Sequence, residues 1–128
     1  GSPFLYEVGR RPPGANIMPL IEAAHGADPW AAWARLMVHR VWEFPERTHA
    51  AGCAFVRGMG RGNTITAVHG LEELNAKIGP LVHASRLPRP GQPRSSHYEG
   101  DGWVIVRHPE TRVVVDALRS VVTTLRVE

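Results

Sequence analysis

Apolar positions recur with two different periods along this chain, and the switches between them mark its elements. Phe4–Val8 alternates with a period of two and is rich in strand formers, which predicts a short strand. Pro12-Pro13-Gly14 must end it, because proline has no N–H to give to a ladder. The period then lengthens. Ile17–Ala24 predicts a helix with Asn16 as N-cap, Pro19 in the tolerant first turn and Gly26 as the stop. Asp28 and Pro29 open a second helix running to about Val41, in which Trp30, Trp33, Met37 and Val41 predict one apolar stripe.

Trp42–Ala51 is a polar connection, and beyond Gly52 the strand period returns. Cys53–Arg57 and Thr64–His69, separated by GMGRGN at 58–63, predict a β-hairpin. Leu71–Lys77 predicts a short helix stopped by Gly79-Pro80, and Pro80–Ser85 another strand. Leu87–Arg94 is punctuated by prolines and reads as a loop or extended edge. Trp103–Arg107 is an apolar strand, Pro109 suits the opening of a helix over Thr111–Val121, and Val122–Glu128 is β-branched enough for a last strand. No internal repeat interrupts this order. It is an α+β pattern in which the first strand is an orphan, since one strand makes no sheet.

With 128 residues the chain is at most one domain, and 43% hydrophobic with 21% charged residues is the composition of a folded protein. The net charge of +3 is basic, but the cations are scattered and form no run. A nucleic-acid face needs them clustered, so a basic nucleic-acid binder is the weakest reading. Cys53 alone makes no internal disulfide and fits a reducing, cytoplasmic setting. No apolar stretch approaches the ~20 residues of a membrane span. Gly1-Ser2 has the look of a cloning scar and the chain then begins in mid-strand, which leads us to expect a piece of a longer protein.

The chemistry concentrates at the start. Along the first strand Leu5, Glu7, Gly9 and Arg11 share one face, with Glu7 and Arg11 about 13 Å apart. A carboxylate suits Mg²⁺ whose other oxygens come from phosphates, and a guanidinium grips phosphate or carboxylate through two N–H groups. Gly14 then lets backbone approach a ligand just before a helix N-terminus. The same spacing equally suits a surface ion pair beside a proline turn.

These residues carry a resemblance. Glu7-Val8-Gly9-Arg10-Arg11-Pro12-Pro13-Gly14 resembles the Glu-hydrophobic-Asn-x-Arg-x-Gly-Gly segment of ATP-grasp ligases, with NIMPLIEAA at 16–24 and HGADPWAAW at 25–33 in place of its following helix and Gly-hydrophobic-Asp element. GNTITAVHGLEEL at 62–74 and GDGWVIVRHPETRVVVDAL at 100–118 are similar to that superfamily's C-terminal subdomain. The resemblance covers nearly the whole chain, each motif being loose by itself.

It implies the C-terminal portion of an ATP-grasp fold, an antiparallel sheet with flanking helices. Residues 1–51 would be the last strand and helix pair of the core, and 52–128 the closing α+β subdomain. It further implies an ATP- and Mg-dependent ligase that joins a carboxylate to an amine through an acyl phosphate. Glu7 would ligate the Mg²⁺ on the ATP phosphates. Arg11 would act catalytically on phosphate or acyl phosphate, and Arg11 with Gly14 would bind substrate. Gly9 stands where the pattern has a metal-holding Asn, and Pro13 replaces the first glycine of the pair. The nucleotide pocket proper would precede residue 1, so the remainder of the ligase is the implied partner besides the small-molecule acid and amine. Family members are often dimers. The competing reading is a stand-alone cytoplasmic α+β binding or regulatory module without catalysis.

Other constellations carry less. The seven histidines show no close ligand spacing, and one Cys completes no zinc set. His83 and His97 are the ones to face a substrate pocket if they lie on a lid-like sheet. Gly58-Met59-Gly60-Arg61-Gly62 lies between strands rather than between strand and helix, which is a hairpin context and not a phosphate-loop one. Ser95-Ser96-His97 lacks a partner acid. Trp30, Trp33 and Trp42 are read as helix packing, and Trp103 as core.

Overall fold

The computed structural model describes residue 9 and residues 11–128. The strand expected at Phe4–Val8 and the metal-ligand role expected of Glu7 lie outside them. Two helices come first, α1 (Ile17–His25) and α2 (Pro29–His39). The Asp28 carboxylate accepts from the N–H groups of Trp30 and Ala31 at 2.8 and 3.2 Å, which fixes the start of α2. Arg40, in the left-handed region with φ 60°, ends it two residues earlier than the apolar pattern suggested.

Strand β1 (Ala50–Val56) follows, then β2 (Val68–His69), α3 (Leu71–Ile78) and a 3-10 turn over Gly79–Leu81. The rest is β3 (Val82–Arg86), β4 (Gly102–His108), α4 (Thr111–Thr124) and β5 (Arg126–Val127). β4 is the central strand of an antiparallel sheet in the order β1-β4-β3, and β2 pairs antiparallel with β5 in a second, two-stranded ladder.

Alternation along β4 divides the core into two layers. Val104 and Val106 pack with Leu74 and Ile78 of α3 and with Val114, Ala117 and Val121 of α4, all buried. Those α4 positions recur at helical spacing, so one stripe covers the sheet. Ile105, also fully buried, points to the opposite face, where α1 packs across β1 and β4 and buries Met18, Ala23 and Ala24. The outward side of α4 carries Arg112, Asp116 and Arg119 as exposed ion pairs that add little stability.

Four local expectations are corrected. The hairpin does not form: β1 pairs with β4, while Thr64 bridges Pro93 and Val68-His69 pairs with β5. The reason is distant. The Arg94 guanidinium donates to the carbonyls of Gly58, Gly60 and Gly62, and the buried Asp101 carboxylate accepts from the N–H groups of Gly58 and Ser95 at 2.7 and 2.5 Å. Side chains far along the chain thus satisfy the glycine loop's backbone, and the loop has no need of a ladder.

Asn16 sits at the N-cap position of α1 without capping it; its Nδ2 donates to Cys53 Sγ at 3.6 Å instead. The apolar stripe of α2 is displaced, because Trp30 is 52% exposed and Val41 lies beyond the helix, while Pro29 and Ala32 are buried. Finally, α4 continues through Thr124, which leaves only Arg126–Val127 as the closing strand.

Candidate functional site

Arg11, Pro12 and Pro13 run into α1 along the edge of an apolar groove of about 500 Å³. Met18, Ile21 and His25 face the groove from α1, and Trp33, Leu36 and Met37 from α2. Each trio recurs at helical spacing, so two facing helices supply two walls from six side chains. Trp42 and Phe44 close the third side.

The segment after α2 is held against α1 by specific bonds. The N–H groups of Thr48 and His49 both donate to Ala24 O, at 3.0 and 3.1 Å. His25 Nδ1 lies 2.8 Å from Pro45 O; a carbonyl can only accept, so the imidazole carries its proton there. Its ring tilts against Phe44 with centroids 5.0 Å apart, and Phe44 stands 5.6 Å from Trp42. His25 is therefore a strap for the aromatic wall, with its Nδ1 already engaged.

Of the residues singled out in the sequence, Arg11 lies at this groove. Gly14 does not line it; its carbonyl accepts from Ile17 N at 3.4 Å at the start of α1, and a Cβ built on it meets nothing within 4 Å. Space for a side chain at Gly14 means that no close backbone approach is enforced there by the described residues. Glu7 lies outside the described residues. No Asp or Glu among them lines the groove, and no group of three or more His, Cys, Asp and Glu among them could hold a metal ion.

The described part of the groove can thus bind an apolar body and, through Arg11, an anionic group. No carboxylate among the described residues faces it, and its one imidazole, His25, is engaged at Nδ1 by the Pro45 carbonyl. The groove's apolar walls were not recognisable in advance, because a helix face turned toward a cavity has the same periodicity as one turned toward the core. The tryptophans show it: Trp33 faces the groove, whereas Trp42 is 58% exposed despite its ring contact. Trp103 is half-buried, and His97 is an exposed loop residue whose carbonyl accepts from Arg57.

No protein-family model matches this sequence, and no curated protein matches it. The solved structures do give a match. The crystal structure of an L-amino acid ligase from Bacillus licheniformis superimposes with a TM-score of 0.64 over 87% of this chain, at 17% sequence identity. The chain has the fold of part of that ligase. It spans 30% of the ligase's length. The mixed helix and antiparallel-sheet architecture implied by the ATP-grasp resemblance is therefore the one observed. Among the described residues no helix is long and apolar enough to cross a membrane.

Proposed function

We propose that this chain is the C-terminal part of an ATP- and Mg-dependent ligase that joins a carboxylate to an amine through an acyl-phosphate intermediate. The observation that carries the reading is the shared fold with an L-amino acid ligase over 87% of the chain. In this reading residues 1–51 are the last strand and helix pair of the ligase core and 52–128 its closing subdomain, the junction falling just inside β1.

The work left to such a site is placement and neutralisation of charge. Arg11, at the mouth of an apolar groove, has a guanidinium fork that matches phosphate or acyl-phosphate oxygens, and the low-dielectric walls strengthen that pairing. The groove excludes water from the reactive group, which protects an acyl phosphate from hydrolysis. Mg²⁺ would neutralise ATP phosphates, and Glu7 is the residue assigned to hold it; the described residues add no further donor.

The test is phosphate release in a chain that also carries the remainder of the ligase, assayed with ATP, Mg²⁺ and a panel of carboxylates and amines. Release should depend on substrate. Glu7→Gln and Arg11→Gln should each lower turnover roughly 100-fold or more with folding retained. If no substrate stimulates release and both variants match the parent, the chain is a binding module with a surface ion pair.

A further inference from the structure

A second cleft, of about 430 Å³, opens at the end of the sheet where β1 begins and β4 finishes. His49, His83, Arg107 and His108 line it, with Pro80 and Pro109 at its margins. The register explains the convergence. Ala50 pairs with His108 and Ala51 with Arg107, which sets His49, one residue before β1, beside the end of β4.

His83 arrives by a bulge. Val82 pairs with Val106 and Ala84 with Ile105, so His83 is the extra residue on β3 and has no partner on β4. A bulge turns a side chain away from the direction that regular alternation would give it. Three segments distant in sequence thereby contribute one guanidinium and three imidazoles to the lining, and no carboxylate lines the cleft.

The donors are distinguishable. The Glu110 N–H donates to His108 Nδ1 at 3.0 Å, so that nitrogen offers its lone pair and Nε2 is the ring's N–H donor. His49 Nδ1 shares a hydrogen with Thr48 Oγ1 at 2.8 Å. Beyond Pro109, α4 starts at Thr111 with no side-chain cap from Glu110, which leaves the positive end of a 14-residue helix beside the cleft. The four groups are not placed as metal ligands, since no His, Cys, Asp and Glu group among the described residues could hold an ion.

We infer that this cleft binds a tetrahedral dianion, an inorganic phosphate or sulfate or the head of a phosphomonoester. Arg107 supplies a permanent charge and a fork for two oxygens, and imidazoles along the lining supply further N–H donors. Imidazoles gain charge between about pH 8 and about pH 5. The site is distinct from the Arg11 groove and stands whether or not the ligase reading does.

The experiment is a calorimetric titration of the 128-residue chain with sulfate, phosphate and glycerol phosphate, with chloride as the control. Sulfate keeps its charge throughout, so a change in its affinity between about pH 6 and about pH 8 comes from the protein and not from the anion. One saturable site is expected, with sulfate bound several-fold more tightly at the lower pH. Arg107→Gln combined with His83→Gln should weaken binding at least tenfold while the thermal melt is unchanged, and His83→Gln alone should weaken it less. Tighter binding of glycerol phosphate than of phosphate would assign the site to a phosphomonoester, and the reverse to the free ion. No saturable binding beyond chloride, or affinity undiminished in a folded double variant, overturns the proposal.

Discussion

Asp101 and Arg94 act together on one short glycine loop, the carboxylate from the N–H side and the guanidinium from the carbonyl side. Asp101 is 5% exposed and gives its oxygens to two backbone N–H groups. Removing it strands both donors away from water. Asp101→Ala should therefore lower the urea-unfolding free energy by about 3 kcal/mol, and Asp101→Asn, which keeps one acceptor, by less. Arg94→Lys should cost nearly as much as Arg94→Ala, because an ammonium cannot span three carbonyls at once. Equal stability of Lys and Arg variants would show that charge alone holds the loop. Cys53 offers a different test. Burial raises its thiol pKa above 9.0; the Asn16 amide works against this and Glu99 adds to it. The folded thiol then ionises later than the unfolded one, so its contribution is complete below about pH 9 and is lost as pH rises through the folded value. Stability should fall more steeply between about pH 9 and the folded value in the parent than in Cys53→Ala, and parallel pH slopes in the two across that window would refute it.

The elements differ in how far local sequence decides them. Asp28-Pro29, α3 before Gly79 and the apolar run of β4 follow rules that operate within one or two turns, and they form where those rules put them. The hairpin at 53–69 fails for the opposite reason: its glycine loop is tied down by Arg94 and Asp101, partners that no short window contains. The end of α4 is a shift of boundary, its last turn closed locally by Leu125 N donating to Val121 O. Of the candidate site, Arg11 was legible from its neighbours Pro12-Pro13-Gly14, whereas the groove walls and the His83 bulge needed the pairing of strands and helices. One glycine joins two of these elements. Gly70, φ +85°, precedes α3, and a Cβ there would sit 2.3 Å from the Thr124 carbonyl oxygen at the end of α4. Gly91 has nearly the same φ, +87°, and open space around it. Gly70→Ala should cost about 3 kcal/mol or more and Gly91→Ala about 1 kcal/mol, since the second carries backbone strain without collision. Similar thermal shifts for the two would show that the α3–α4 contact yields easily.

For the whole molecule, the two faces of the sheet serve different ends. One face is closed by α3 and α4 into a continuous apolar core. On the other, α1 packs across β1 and β4, and α1 and α2 together hold open a groove with Arg11 at its edge. That groove has apolar walls and one guanidinium, and no Asp or Glu among the described residues lines it. A phosphoryl-transfer site needs several such groups at once, because its catalysis is almost entirely positioning and charge neutralisation. If the ligase reading holds, Glu7 supplies one of these groups and the others belong to the other 70% or so of a ligase length, of which this chain spans 30%. The purified 128-residue chain should then give no ATP- and substrate-dependent phosphate release above the buffer rate, while the same residues within a complete ligase should sustain it. Substrate-stimulated turnover by the chain alone would break the reading at this scale, since Glu7, Arg11 and the apolar groove would then make a complete phosphoryl-transfer site without the rest of a ligase.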